Sequence, residues 1–172
     1  MFFDDFETDR GWTTNPGGTD TATTGAWERG DPEPTDSSGP KQLGTTVNGV
    51  IDLVTGRAAG TGPGAFDIDG GTTSVRSPAI TLPTGATLTL TLSAYLAHGS
   101  NSTADFLRVS VVHSGGTAVV LTRTGAATDM DAAWTAATAS LTPYAGQSIR
   151  LLIEATASLV EAGVDNIEIS RS

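Results

Sequence analysis

Carboxylates set among hydrophobic residues at both ends of the chain are the residues most able to do chemistry. The chain opens with Phe3-Asp4-Asp5-Phe6-Glu7 and closes with Glu161-Ala162-Gly163-Val164-Asp165-Asn166-Ile167-Glu168-Ile169. In an extended first strand Asp5 and Glu7 share one parity, and Asp4 takes the other with Phe2 and Phe6. In an unbroken last strand Glu161, Asp165, Ile167 and Ile169 share a parity. Asp67 and Asp69 point together, opposite Phe66 and Ile68. A carboxylate with core-facing parity is costly to bury unless a cation or hydrogen bonds answer it. Ca²⁺ accepts roughly six to eight oxygen ligands, which carboxylates and backbone carbonyls supply. Asp5, Glu7, Asp67, Asp69, Glu161 and Asp165 are therefore the candidate ligands of a structural Ca²⁺ site, provided the terminal strands meet. Asp69-Gly70-Gly71 is also a good turn signal by itself, so turn residues within this set are the competing account. An EF-hand is excluded, because Asp67-Ile68-Asp69-Gly70 lacks the third Asp and reaches Pro78 where the closing Glu belongs.

Other chemistries find less support. His98 and His113 have no metal-ligand spacing, and there are no cysteines to join them, which argues against zinc. No Gly-x-Ser-x-Gly elbow is present, and His113-Ser114-Gly115-Gly116 reads as a hairpin loop rather than part of a hydrolytic triad. Nothing separates a glycosidase carboxylate pair from the Ca²⁺ candidates. Trp12, Trp27, Trp134, Tyr95 and Tyr144 would suit a sugar-stacking face, but plugging the ends of a sandwich and pinning a loop account for them as well. Asn101-Ser102-Thr103 matches a glycosylation acceptor and reads as an ordinary loop. No catalytic residue is assigned.

The elements that must position these carboxylates are strands. Leu88, Leu90, Leu92, Ala94 and Leu96 alternate with Thr89, Thr91 and Tyr95. Leu107, Val109 and Val111 repeat the pattern, as do Ile149, Leu151 and Ile153. This period of two belongs to antiparallel strands with one wet face. Further strands are expected at 50–54, 65–69, 72–77, 117–123 and 136–141, separated by Gly, Pro, Asn and Asp turn signals. Only residues 129–139 pass for a helical turn. About nine or ten short strands imply an all-β, antiparallel two-sheet jelly-roll sandwich. Residues 15–41 form a long polar loop within it, carrying an aromatic island at Ala26-Trp27-Glu28-Arg29-Gly30.

Composition narrows the class. The 172 residues suffice for one domain, 1–172, with a substantial core. Nine basic and 19 acidic residues give a net charge of −10, which argues against nucleic acid and anionic lipid as partners. No run approaches the roughly 18 apolar residues of a membrane span. A surface of Thr, Ser and 21 Gly with Lys41 as the only lysine suits a secreted, extracellular protein, expected to be monomeric. No signal peptide follows Met1, so the chain is read as cut from something longer.

The order of several short motifs adds a resemblance. Asp4-Asp5-Phe6-Glu7 with Gly11-Trp12 comes first, then Ala26-Trp27-Glu28-Arg29-Gly30-Asp31-Pro32, then Asp67-Ile68-Asp69-Gly70-Gly71-Thr72-Thr73-Ser74. Ser77-Pro78-Ala79-Ile80, Tyr95, Asp105-Phe106-Leu107-Arg108-Val109, Trp134, Tyr144-Ala145-Gly146-Gln147 and Val164-Asp165-Asn166-Ile167 follow. Over nearly the whole chain this resembles the MAM-like jelly-roll domains, in particular those appended to the C-terminus of secreted bacterial zinc carboxypeptidases and other metallopeptidases. The resemblance implies a structural cation site near the meeting termini and an accessory role rather than an active site. Its partners would be a parent-enzyme catalytic domain and a protein or cell-surface glycan target. The disulfides of animal MAM domains are absent, so their adhesive role is not carried over. A carbohydrate-binding module with structural Ca²⁺ is the alternative, and an independent hydrolase the third class.

Overall fold

The computed structural model describes residues 1–62, 64–100, 102–157 and 160–172. The glycosylation-like Asn101 lies outside the described residues. In chain order the strands are β1 (Phe2–Asp4), β2 (Thr13–Thr14), β3 (Trp27–Gly30), β4 (Thr35–Asp36), β5 (Pro40–Gln42), β6 (Asp52–Thr55) and β7 (Gly71–Arg76). They continue as β8 (Ile80–Thr81), β9 (Leu88–His98), β10 (Phe106–His113), β11 (Gly116–Thr124), β12 (Thr135–Ser140), β13 (Ser148–Ala157) and β14 (Val160–Arg171). Two six-stranded antiparallel sheets and a separate β4-β5 ribbon result. Sheet I runs β12-β9-β14-β6-β3 with β1 also on β14, and sheet II runs β11-β10-β13-β7-β2 with β8 also on β13. The fold is an all-β two-sheet sandwich, as the period of two predicts. No described helix is long and apolar enough to cross a membrane.

Alternation explains the core directly. Leu88, Leu90, Leu92, Ala94 and Leu96 of β9 meet Leu107, Val109 and Val111 of β10 and Leu151, Ile153 and Ala155 of β13 in one buried cluster. Each fully buried aliphatic side chain is worth roughly 1.5–3 kcal/mol, so these alternating rows are what clamps the sheets together. The terminal strands do pair: Phe2 faces Ile169 and Asp4 faces Ile167. The same edge of β14 is shared with β6, which takes Gly163 and Val164. Between the two partners β14 bulges from Asp165 to Glu168, with Asn166 at φ 50°. A bulge inserts an extra residue and reverses the parity beyond it. Hence Glu161 and Asp165 do not share a face with Ile167 and Ile169, which are fully buried between the sheets.

Other expectations change for similar local reasons. β1 stops at Asp4 and Phe6 takes a left-handed φ of 59°, yet Phe2 and Phe6 both pack on the core and Asp4 is fully buried against the Trp12 indole. Residues 65–69 form no strand; Asp69 makes only an isolated bridge to Thr24, next to the Gly70-Gly71 turn. Residues 129–139 are irregular and then extended as β12, not helical. Within 15–41, Trp27 is not a loop anchor but the first residue of β3, paired with Thr55 and 1% exposed.

The stretch between β3 and β6 packs as a roof over the outer face of sheet I. Lys41, 5% exposed at its side chain, reaches Asp129 at 2.9 Å and Asp131 at 2.7 Å. Ala132 N–H donates to the Pro40 carbonyl, and the Trp134 indole donates to the Thr45 carbonyl. Beneath this roof Tyr95, Ala97 and Ala132 form a second small buried cluster, with Trp134 standing edge-on to Tyr95 at 4.8 Å.

Candidate functional site

The six sequence-selected carboxylates fall into two groups and one outlier. Asp5, Glu7 and Asp165 all converge on residues 46–51. Asp165 Oδ2 accepts the Val47 and Asn48 backbone N–H groups at 2.8 and 3.1 Å, and its Oδ1 accepts the Asn166 N–H at 2.6 Å. Glu7 Oε1 accepts the Val50 and Ile51 N–H groups at 2.8 and 2.6 Å. Asp5 accepts the Asn48 side-chain amide at 3.2 Å. Burial pushes the Asp165 carboxyl up, against the pull of those N–H groups, and the nearby Asp5 charge adds to the rise. Asp4 is likewise fully buried and fully served, by the Phe6 N–H, the Trp12 indole and Arg10. Hydrogen bonds to backbone N–H groups compensate the loss of water around a carboxylate.

Glu161 and Asp67 belong to a second group, which lacks such donors. Glu161 is 3% exposed, and among the described residues its one partner is the Thr35 hydroxyl at 3.5 Å, the outer limit of a hydrogen bond. Its Oε2 has none. Burial, then the charge of Asp67, raises this carboxyl to about 9. Asp67 is raised to about 6 by burial and by Asp69, and its Oδ1 is unpartnered. Asp69 itself is half-buried and enters neither group except through that charge.

Between the two groups lies Asp52, which the sequence analysis does not select. It is fully buried, and neither of its carboxylate oxygens has a side-chain or backbone partner among the described residues. Burial, then Asp165, then Asp31 push it up to about 8. Extending the β6–β14 register by one residue sets Asp52 against Asp165 on the roofed face. Tyr95 lies across Gly163 on that same face, where a Cβ would stand 2.3 Å from its ring. Its hydroxyl makes no full hydrogen bond among the described residues; burial, then Asp52 and Glu161, hold it well above the ordinary tyrosine range against a weaker pull from the Leu43 backbone. Gln42 donates its amide to the Glu33 and Arg57 carbonyls and leaves Oε1 buried and free. Asp52 was legible by the rule applied at the termini, since Ile51-Asp52-Leu53-Val54 is again an acid inside an apolar strand.

The chemistry of this deep group is lopsided. Asp52 Oδ1 and Oδ2, Glu161 Oε2, Asp67 Oδ1 and Gln42 Oε1 are unanswered acceptors, and the Tyr95 hydroxyl is the one unanswered group here with a proton to give. Acceptors without donors are satisfied by protons on the carboxyls or by a hard cation with oxygen ligands. An all-oxygen set fits Ca²⁺ in kind. Among the described residues, however, no three His, Asp or Glu side chains stand close enough together to hold a metal ion by themselves. Any ion here would need the amide and carbonyl oxygens as well as carboxylates.

The two histidines are occupied elsewhere. His98 is buried, its Nε2 accepting the Ala126 N–H at 3.0 Å, and His113 stacks on Tyr144 with centroids 5.0 Å apart.

Against known proteins, no family model matches the chain and no curated protein matches it. Solved structures do. The K3 cleaved adhesin domain of Lys-gingipain from Porphyromonas gingivalis W83 superposes with a TM-score of 0.63 at 18% identity, covering 99% of this chain and 98% of that one. The K2 cleaved adhesin domain of Lys-gingipain gives 0.60 at 16% identity, with 99% and 98% covered. TmCBM61, solved with β-1,4-galactotriose, gives 0.53 at 11% identity, with 94% and 88% covered. The likeness is one of fold. It spans the sandwich from end to end.

Proposed function

We propose that this chain is a non-catalytic binding domain of a secreted bacterial protein, accessory to the catalytic domain of a peptidase, which it helps engage a protein or glycan at a cell surface. The observation that carries this reading is the near-complete overlap with adhesin domains of Lys-gingipain, 99% of this chain against 98% of theirs. Histidines committed to backbone and ring contacts are in keeping with it. A carbohydrate-binding module is the second reading, favoured by the overlap with TmCBM61 in its galactotriose complex. Pull-down on a panel of insoluble polysaccharides and on intact bacterial and host cells tests both. Retention on cells but on no polysaccharide favours the adhesin-like reading. Retention on one polysaccharide favours the module.

Structural Ca²⁺ belongs to the same proposal. Because no three carboxylates come together among the described residues, the ion would take Glu161 and Asp67, whose charges act on one another, with the unanswered Gln42 amide oxygen and backbone carbonyls. Asp5, Glu7 and Asp165 would then serve chiefly to keep residues 46–51 closed over it. When bound, the ion supplies positive charge where burial otherwise forces protons onto the carboxyls. A thermal melt of chelator-stripped protein with Ca²⁺, with Mg²⁺ and with neither is the test, because binding to the folded state alone raises stability. A rise specific to Ca²⁺ is expected; identical melts would remove the ion from the reading.

A further inference from the structure

The outer face of sheet II carries an opposite electrostatic problem. Leu107, Val109, Val111, Leu151, Ile153 and Val75 point into the core, so their strand neighbours must point away from it. On β7, β13 and β10 those neighbours include Arg76, Arg108 and Arg150, three of the nine basic residues in a chain of net charge −10. The register fixes their relation. Arg76 stands opposite Leu152, Arg108 opposite Glu154, and Arg150 opposite Val112. Strand spacing and rise put the three arginine positions within a stripe about 10–15 Å long.

These arginines are held in place but not neutralised. The Arg108 guanidinium lies over the Phe106 ring at 4.0 Å, a cation–π contact that fixes the plane of the fork. Arg150 donates to the Ser77 carbonyl at 3.1 Å, which orients it without cancelling its charge. The Nε–H groups of Arg76 and Arg108 are buried and have no partner among the described residues. The ion pairs found among the described residues involve Arg10, Lys41 and Arg57, and none of the three arginines of this face. Glu154 faces Arg108 across the ladder yet does not come within ion-pair distance of it. Arg76, Arg108, Arg150, Leu152 and Glu154 are all half-buried, neither shut away nor fully open.

We propose that this face is a docking surface for an extended, carboxylate-bearing polysaccharide, a polyuronate, whose carboxylates engage Arg76, Arg108 and Arg150. The proposal rests on the reading of the chain as a binding domain and names the chemical class of its ligand. A planar guanidinium fork matches a carboxylate in two parallel hydrogen bonds, which a lysine does not. Three cations spread along a stripe suit a polymer with spaced charges. The dense phosphates of a nucleic acid call for a broad basic footprint, which this acidic chain lacks. Acidic residues elsewhere do not forbid the approach, since at physiological salt charges beyond about 8 Å are largely screened.

Affinity electrophoresis and titration calorimetry of the full chain test this, with polygalacturonate and oligogalacturonides as probes. Neutral galactan and xylan, dextran sulfate and single-stranded DNA are the comparators. Binding to polygalacturonate is expected at low salt and should weaken at least tenfold when the salt is raised to 0.5 M. Arg108→Gln and Arg76→Gln should each weaken it about tenfold. Arg57→Gln, on the roofed side beside Glu28, should leave it unchanged, and unaltered melts would show all three variants folded. Equal or tighter binding of dextran sulfate or DNA overturns the proposal, as do arginine variants that bind like the parent. Retention on a neutral glycan alone overturns it while keeping the binding-domain reading. Retention on no glycan overturns it and leaves the adhesin-like reading to be judged on protein and cell targets.

Discussion

The two outer faces of this sandwich solve the same pleat in opposite ways. Sheet I is roofed by the chain between β3 and β6, and beneath that roof it buries Asp52, Glu161 and Asp165. Sheet II leaves Arg76, Arg108 and Arg150 only half-buried. The alternation that makes each strand is identical. What differs is coverage, and coverage sets what a charge costs. Under the roof an unanswered carboxylate faces the full penalty of lost hydration, whereas on sheet II the half-buried arginines keep part of each side chain in water, with the Nε–H of Arg76 and Arg108 shut away. Unsatisfied acceptors on one side and unneutralised donors on the other therefore make different demands: a proton or a cation inside, an anionic partner outside.

The largest effect expected from this contrast is a pH dependence of stability in metal-stripped protein. Asp52 is raised from its ordinary value to about 8, and Glu161 to about 9. A carboxyl raised in the folded state binds its proton more tightly there than in the unfolded chain. Its contribution is full below about pH 4 and is lost progressively as pH climbs through the folded value. For Asp52 alone the loss between pH 4 and pH 8 is on the order of 5 kcal/mol as an upper bound. The melting temperature of stripped protein should thus fall steeply from pH 5 to pH 9. Asp52→Asn and Glu161→Gln should each remove a large part of the fall. Saturating Ca²⁺ should flatten the profile in the parent by stabilising the ionised forms. A flat profile in the stripped parent would mean that these carboxyls are answered after all, and the contrast between the faces would disappear.

Next in size is Asp165→Ala. It strips the acceptor from the Val47, Asn48 and Asn166 N–H groups and frees the roof edge, costing about 2–4 kcal/mol with or without the ion. If Asp165 is also a ligand, as the sequence analysis supposes, the Ca²⁺-dependent rise in melting temperature should vanish too. A rise that survives would assign Asp165 to the roof alone. Gly163→Ala follows. Its added methyl would meet the Tyr95 ring at 2.3 Å, and overpacking of this kind costs about 1–3 kcal/mol. A melt unchanged by that substitution would show that Tyr95 is free to leave its seat under the roof.

Much of this contrast could be read in the sequence, and the part that could not has local causes. Strict alternation from Leu88 to Leu96 identifies a core strand because one face of a pleat is buried and the other is not. Acids in the apolar terminal segments mark the meeting of β1 and β14. Parity does not carry past Asp165, since a bulge depends on which partner strand takes over the ladder, and that is a long-range matter. The roof was hidden for the same reason. Residues 31–50 have no period, and what they cover is set by Lys41 reaching Asp129 and Asp131, roughly 90 positions away in the chain. Asp52 was overlooked although it carries the same signal as the termini. Arg76, Arg108 and Arg150 each look like an ordinary outward residue until the register brings them onto one face.

The smallest effect should come from the open face. Arg108→Gln, Arg76→Gln and Arg150→Gln remove charges that have no carboxylate partner, so each should change stability by no more than about 0.5 kcal/mol. Some loss is still expected at Arg108, whose guanidinium packs on Phe106 at 4.0 Å, a contact worth about 0.5–1 kcal/mol at an exposed site. Gln at that position keeps part of the aliphatic cover, which holds the loss near the lower end. Denaturant melts of the three variants against Asp165→Ala make the comparison directly. If an arginine variant loses as much as the roof variant, that arginine is structural, and its charge is answered within the sheet. If all three stay near the parent, their charges have no role in holding the fold together, which is the condition under which an external anion is free to use them.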